Sequence, residues 1–169
     1  MKRIGEGGVM LRLVPMTEVE YARYLSTAVR SYAQSHVEAG DVLPEEAMAR
    51  AQADYDELLP RGLASPNQFL YTLHDDALGE IGMIWFAVRE HRQAKSAYLY
   101  DFFVREGVRR MGHGRRALEL LEARLRELGI GRIGLNVFGH NHAARALYER
   151  MGYRITGIGM VKVLAGQDA

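Results

Sequence analysis

Arg109-Arg110-Met111-Gly112-His113-Gly114-Arg115-Arg116 packs four arginines around two glycines, and an amphipathic run follows at once. Where a helix begins, backbone N–H groups converge without intrahelical partners. Glycine lets a ligand approach them closely, and the helix dipole adds positive potential. These residue types at this spacing suit a phosphate-bearing ligand. Residues 105–116 carry five arginines against Glu106 alone, so side-chain charge reinforces the backbone signal.

Two familiar phosphate sites fail on context. Gly107 and Gly112 have the P-loop separation, but His113-Gly114 follows where that loop needs Lys and a magnesium-binding hydroxyl. Gly112-x-Gly114-x-x-Ala117 satisfies the dinucleotide fingerprint, which also requires an acid about 20 residues on. Residues 128–148 contain neither Asp nor Glu. A third pattern, R-x-x-G-x-G over Arg109–Gly114, remains.

The elements that must position this turn follow from periodicity. Residues 9–15 alternate as a short strand, and Thr17 with Glu20 forms a capping box before a helix reaching about His36. Pro44 suits the first turn of a second, acidic helix closed by Pro60 and Gly62. From Gln68 the period becomes that of strands: 68–73, a polar turn at Asp75 and Asp76, 79–88, a polar connection over 91–96, and 97–104. The glycine turn then opens a third helix with Leu118, Leu121, Leu125 and Leu128 on one face and Gly129 as its cap. A strand over 132–138, a fourth helix capped by Asn141 and ended by Gly152, and a last strand over 153–164 complete the order. Antiparallel strands followed by a strand–helix–strand unit make an α/β chain with a central mixed, mostly antiparallel sheet and helices on its faces.

Bulk properties narrow the class. A chain of 169 residues with 48% hydrophobic and 25% charged residues fits one soluble domain, residues 1–8 reading as a loose tail. A net charge of +1 argues against a dedicated nucleic-acid binder. The absence of cysteine excludes thiolate nucleophiles, disulfides and Cys-based zinc sites. His140 and His142 flank Asn141 without a third ligand or an HExxH pattern, so no metal is expected. No apolar run approaches the roughly 18–20 residues of a membrane span, and neither a membrane association nor a signal peptide is expected; cytoplasmic residence is.

R-x-x-G-x-G after a strand, a helix, a strand, and then Asn141-x-x-Ala144-x-x-Leu147-Tyr148-x-x-x-Gly152-Tyr153 resembles the GNAT N-acetyltransferase superfamily. The motifs cover about residues 97–153, and the element order extends the likeness over nearly the whole chain. The resemblance implies the acyl-CoA N-acyltransferase fold, with a twisted sheet of six to seven strands. It implies acetyl-CoA as co-substrate, transferring its acetyl group to a primary amine of a small molecule or peptide by direct attack in a ternary complex. It places the pyrophosphate on backbone amides of Arg109, Arg110, Met111, Gly112, His113, Gly114 and Arg115, with the side chains of Arg110, Arg115 and Arg116 adding charge. Phe102, Phe103 and Val104 would pair with the pantetheine arm, and Asn141 would touch it while capping its helix. Tyr148 matches the family's tyrosine acid.

The base is less defined by the motif. Asp101 is an acid in an apolar strand, and the position before it, often Glu in the family, is Tyr100 here. A water relay through Asp101 or Glu80 is the other route. That departure also favours an alternative, a catalytically weak acyl-CoA-binding regulatory module. The acceptor pocket is expected near the end of the first helix, the His36–Leu43 loop and the last strands, with Tyr32, His36, Trp85 and Tyr100 as candidate walls. A homodimer is a possible assembly of proteins of this type.

Overall fold

Strand β3 (Gly79–His91) is the spine of the structure, a computed structural model that describes residues 10–91, 94–162 and 164. Every residue from 81 to 87 is buried, as expected of a strand covered on both faces. β3 pairs antiparallel with β2 (Gln68–Asp75) on one side and with β4 (Ala94–Val104) on the other. β1 (Leu11–Pro15) adds antiparallel to β2, and β5 (Ile133–Leu135) adds parallel to β4. The order is β1-β2-β3-β4-β5, a mixed and mostly antiparallel sheet.

The described chain gathers into two compact units. One comprises residues 10–20 and 66–136: the sheet and helix α3 (His113–Glu127). α3 packs on β1 and β4. Its apolar stripe buries Ala117, Leu118, Leu121 and Leu125, while Leu128 lies just past the helix and is partly exposed. Gly129, at φ 72°, follows it, and its N–H returns to the Arg126 carbonyl.

The other unit comprises residues 21–65 and those from 137 onward. It contains most of α1 (Glu18–Ala39), α2 (Pro44–Leu58) and α4 (His142–Arg150). The capping box forms as the sequence requires. Thr17 N–H donates to Glu20 Oε2 at 2.7 Å, and Glu20 N–H donates to Thr17 Oγ1 at 3.3 Å. Small and aromatic residues are buried on both helices, Tyr24, Ala28 and Ala33 on α1 and Ala47, Ala51 and Tyr55 on α2. The Tyr24 and Tyr55 hydroxyls lie 3.2 Å apart.

The α/β class and mixed sheet are as expected, but the described residues hold five strands rather than six to seven. The strand expected over 132–138 contracts to Ile133–Leu135. Residues 153–162 and 164 have no strand pairing, and Ile155, Ile158, Met160, Val161 and Leu164 are exposed; Val163 lies outside the described residues. Alternating apolar residues register a fit to a pleated surface, but a strand exists only where a neighbour completes its ladder. β4 begins earlier than expected, at Ala94, because Lys95 and Ser96 pair with Glu90 and Arg89. The expected tail at 1–8 lies outside the described residues.

Leu121 has no exposed surface. Leu121→Ala is expected to lower unfolding free energy by about 2–5 kcal/mol, measured by urea denaturation, through lost burial and the cavity left beneath α3.

Candidate active site

β4 changes its surroundings halfway along. On one side it pairs with β3 to its end, but on the other β5 reaches only Leu99, opposite Leu135. From Tyr100 to Val104 no strand occupies that second edge among the described residues. Arg105 N–H donates to the Ile81 carbonyl at 2.7 Å, across the β3 side. Strand alternation therefore turns the N–H and C=O of Val104 and Phe102 toward the open edge. Phe103 is exposed, while Phe102 and Val104 are half-buried.

A β-bulge marks the change. Trp85 faces Asp101 and Phe86 faces Leu99, so Tyr100 is an extra residue in β4. Its hydroxyl accepts from Arg89 Nη2 at 2.7 Å, and its ring stacks on Trp85 with centroids 4.7 Å apart. The same guanidinium sits 4.2 Å over the Tyr98 ring. Burial raises the Tyr98 phenol above its ordinary pKa, partly offset by the Arg89 charge. Asp101 is half-buried beside this ladder. Glu80 is exposed at the far end of β3. It stands five residues from Trp85, a span of roughly 16 Å along a strand.

Beyond Val104 the chain makes a 3-10 turn (Glu106–Val108), and Arg109 folds back so that its Nε donates to the Val104 carbonyl at 2.7 Å. Arg110 follows in the left-handed region, φ 65°, a conformation costing about 1–2 kcal/mol for a residue with a side chain. Gly112, φ 88°, caps α3 without any side-chain bond. The first intrahelical bond runs from Arg116 N–H to the Gly112 carbonyl. The N–H groups of His113, Gly114 and Arg115 thus precede the ladder and have no protein acceptor among the described residues. Left-handed residues flanking a helix start form a backbone nest for an anion.

The side chains of this turn divide by role. His113 is only 2% exposed and neither ring nitrogen has a protein partner, so the residue offers the turn surface its backbone. Met111 is exposed. Arg115 and Arg116 both reach Glu119, at 2.9 and 3.3 Å, and those hydrogen bonds hold its carboxyl below the usual carboxylate range. Of the three arginines expected to add charge, Arg115 and Arg116 are therefore partly neutralised by Glu119.

In the second unit, Asn141 Oδ1 accepts from Ala144 N–H at 3.2 Å, the expected helix cap. Tyr148 is half-buried on α4, its ring 5.4 Å from that of Tyr153. The expected acceptor residues belong to different units. Trp85 is buried in the sheet with its indole N–H on Gln68 Oε1 at 2.8 Å, and Tyr100 stays with it. Tyr32 and His36 instead gather in the second unit with Phe138, at ring separations of 4.4 Å (Tyr32–His36) and 5.0 Å (His36–Phe138). Among the described residues no group of three metal-binding side chains occurs. His140 pairs with Glu38 at 3.4 Å.

Sequence reasoning missed Gly82, Arg89 and Phe138. Arg89 and Phe138 act through pairings distant in sequence. Gly82 stands opposite Val104, where a Cβ would intrude on the Phe103 carbonyl oxygen. An isolated glycine in a strand is the available signal, since it marks close backbone approach.

The model of the Acetyltransferase (GNAT) family matches residues 31–153. The chain is 35% identical over 154 residues to the uncharacterized N-acetyltransferase YycN of Bacillus subtilis (strain 168), covering 91% of this chain and 99% of that one. It is 33% identical to YdgE of the same strain, another uncharacterized N-acetyltransferase, over 90% of this chain and 97% of that one. The crystal structure of YycN superimposes with a TM-score of 0.88 at 34% identity, over 93% of this chain and 100% of its own.

Gly82→Ala is expected to cost about 1–3 kcal/mol in thermal unfolding, because the backbone of β4 must give way. Gly107→Ala, with open space at its Cβ position, should stay within about 0.5 kcal/mol of the parent.

Proposed function

The chain belongs to the GNAT acetyltransferase family, and on that premise we propose that it transfers an acetyl group from acetyl-CoA to a primary amine of a small molecule or peptide, by direct attack in a ternary complex. The observation that carries the reading is the uncapped start of α3 one turn beyond the open edge of β4. A pyrophosphate needs several converging donors and a positive dipole end; the N–H groups of residues 110–115 are of that kind. An extended pantetheine arm needs strand-like partners; Phe102 presents its N–H and C=O, and Val104 its N–H, on an edge that no strand among the described residues takes up. Arg109 draws the Val104 carbonyl aside, leaving the N–H groups there as donors.

Those N–H groups also suit the thioester carbonyl, whose oxygen gains negative charge as the amine attacks. Tyr148 enters through its motif position as the proton donor for the departing thiolate, a role for which a phenol has the right chemistry. Asn141 fixes the first turn of the helix that carries it. Because the family match spans residues on both units, we read them as one functional domain.

Tyr148→Phe is expected to lower kcat about 10²-fold or more while acetyl-CoA affinity stays within twofold, measured by thiol release across an amine panel and by calorimetry. Unchanged kcat would remove Tyr148 from the chemistry. Acetyl-CoA binding by the parent protein without turnover on any amine would favour the regulatory module, which the Tyr100 substitution for the family's common Glu supports.

A further inference from the structure

We propose that Arg89, fixed over Tyr98 and Tyr100, is a specificity-determining residue that selects acceptor amines carrying a carboxylate, of the amino-acid class; this rests on the acetyltransferase reading above. On that reading the pyrophosphate lies beyond Val104, so the pantetheine arm runs back along β4 and brings its acetyl end toward Tyr100. Arg89, Tyr98, Tyr100 and Trp85 all belong to the unit that holds β4 and α3.

The cluster follows from strand alternation and one bulge. Trp85, Ala87 and Arg89 fall on one face of β3. Tyr98 stands opposite Ala87, and the bulge turns Tyr100 onto the same face, its ring stacked on Trp85. The Tyr98 and Tyr100 rings meet at 4.9 Å between centroids, inclined by 63°. Arg89 lies across both, its guanidinium carbon 4.2 Å from the Tyr98 ring centre and 5.5 Å from that of Tyr100. With Nη2 also donating to the Tyr100 hydroxyl at 2.7 Å, two rings and a hydroxyl fix the plane of the guanidinium.

Its charge is fixed but not neutralised. Arg89 is exposed and pairs with no carboxylate among the described residues, unlike Arg12, Arg115 and Arg126, each within 2.9 Å of one. Of the guanidinium N–H donors, one is committed to Tyr100 and the rest find no protein acceptor among the described residues. The Tyr100 hydroxyl accepts from Arg89, so its own proton stays available to a second acceptor. Guanidinium and phenol donors side by side suit one carboxylate, held by charge-assisted hydrogen bonds. An exposed ion pair is ordinarily weak because two long side chains must be ordered to form it. Here the fold has already ordered one partner, which removes much of that cost for a bound ligand.

Position then sets the polarity of the acceptor. The pairing of β5 has ended by Tyr100, and Phe102, roughly 7 Å further along the strand, presents the N–H that suits the thioester carbonyl. A carboxylate on Arg89 and Tyr100 leaves an amine a few bonds away within reach of that thioester. The same cation favours the neutral form of a neighbouring amine, the form that attacks, and repels polycations that lack a carboxylate. Transfer is balanced as before: nitrogen bonds to the acetyl carbon, the C–S bond breaks, and the thiolate takes one of the nitrogen's protons.

The experiment pairs leucine, lysine and phenylalanine each with its own amide, in which a neutral carboxamide replaces the carboxylate. Thiol release from acetyl-CoA is compared for parent, Arg89→Met and Arg89→Lys. Arg89→Met is expected to lower the acid-to-amide ratio of kcat/KM about tenfold or more. Arg89→Lys, which keeps the charge but not the planar fork, should fall between. Equal losses on acid and amide would reveal a merely structural role at the bulge and overturn the assignment. A second readout needs no turnover. Trp85 is the single tryptophan of the chain and stacks on Tyr100, so its fluorescence reports on this site. It should respond to the acids and not to the amides in the parent, and to neither in Arg89→Met. Parent protein that responds in this way yet acetylates no amine counts against the acetyltransferase reading and supports carboxylate recognition. A parent signal that is the same for acid and amide, or absent for both, overturns the inference.

Discussion

A strand paired along its whole length on one side but only over its first half on the other is the constraint from which the rest follows. β4 pairs with β3 to its end, yet from Tyr100 its other edge offers N–H and C=O groups that no strand among the described residues takes up. Such an edge invites extended chains, and proteins ordinarily blunt or cover it. Here it is kept open by three local features. β5 is only three residues long, the bulge at Tyr100 reorients the strand, and Gly82 lets β3 and β4 approach without a side chain between them. The Trp85–Tyr100–Tyr98 ladder, clamped by Arg89, stiffens the bulge from one face.

The glycine turn continues the same logic. It follows the open edge directly and ends in a helix start with no cap, so donors for an extended arm and donors for a phosphate belong to one continuous piece of backbone. That arrangement depends little on side chains. His113 is buried, Arg115 and Arg116 share Glu119, and Arg109 serves the Val104 carbonyl. Left-handed conformations at Arg110 and Gly112 aim the N–H groups. A strained non-glycine residue persists where its surroundings or its function hold it there.

What the sequence disclosed was whatever is encoded locally. Thr17 with Glu20, Asn141 with Ala144, Pro44 and Gly129 are signals complete within four residues, and each stands where expected. The helical stripe ending at Leu125 is equally local. What stayed hidden depends on pairing. The length of β5, the bulge at Tyr100 and the Arg89–Tyr100 bond all require the register of two strands. The apolar alternation at 153–164 misled for the opposite reason, since pattern alone cannot provide a neighbouring strand.

Calorimetric titration with acetyl-CoA, with NAD titrated in parallel, tests the central claim most directly. The open edge and uncapped helix require micromolar binding of acetyl-CoA and no comparable binding of NAD, weakened when Gly112→Val disturbs the left-handed turn. Absence of acetyl-CoA binding, or a preference for NAD, would contradict the claim that this turn cradles the pyrophosphate of coenzyme A.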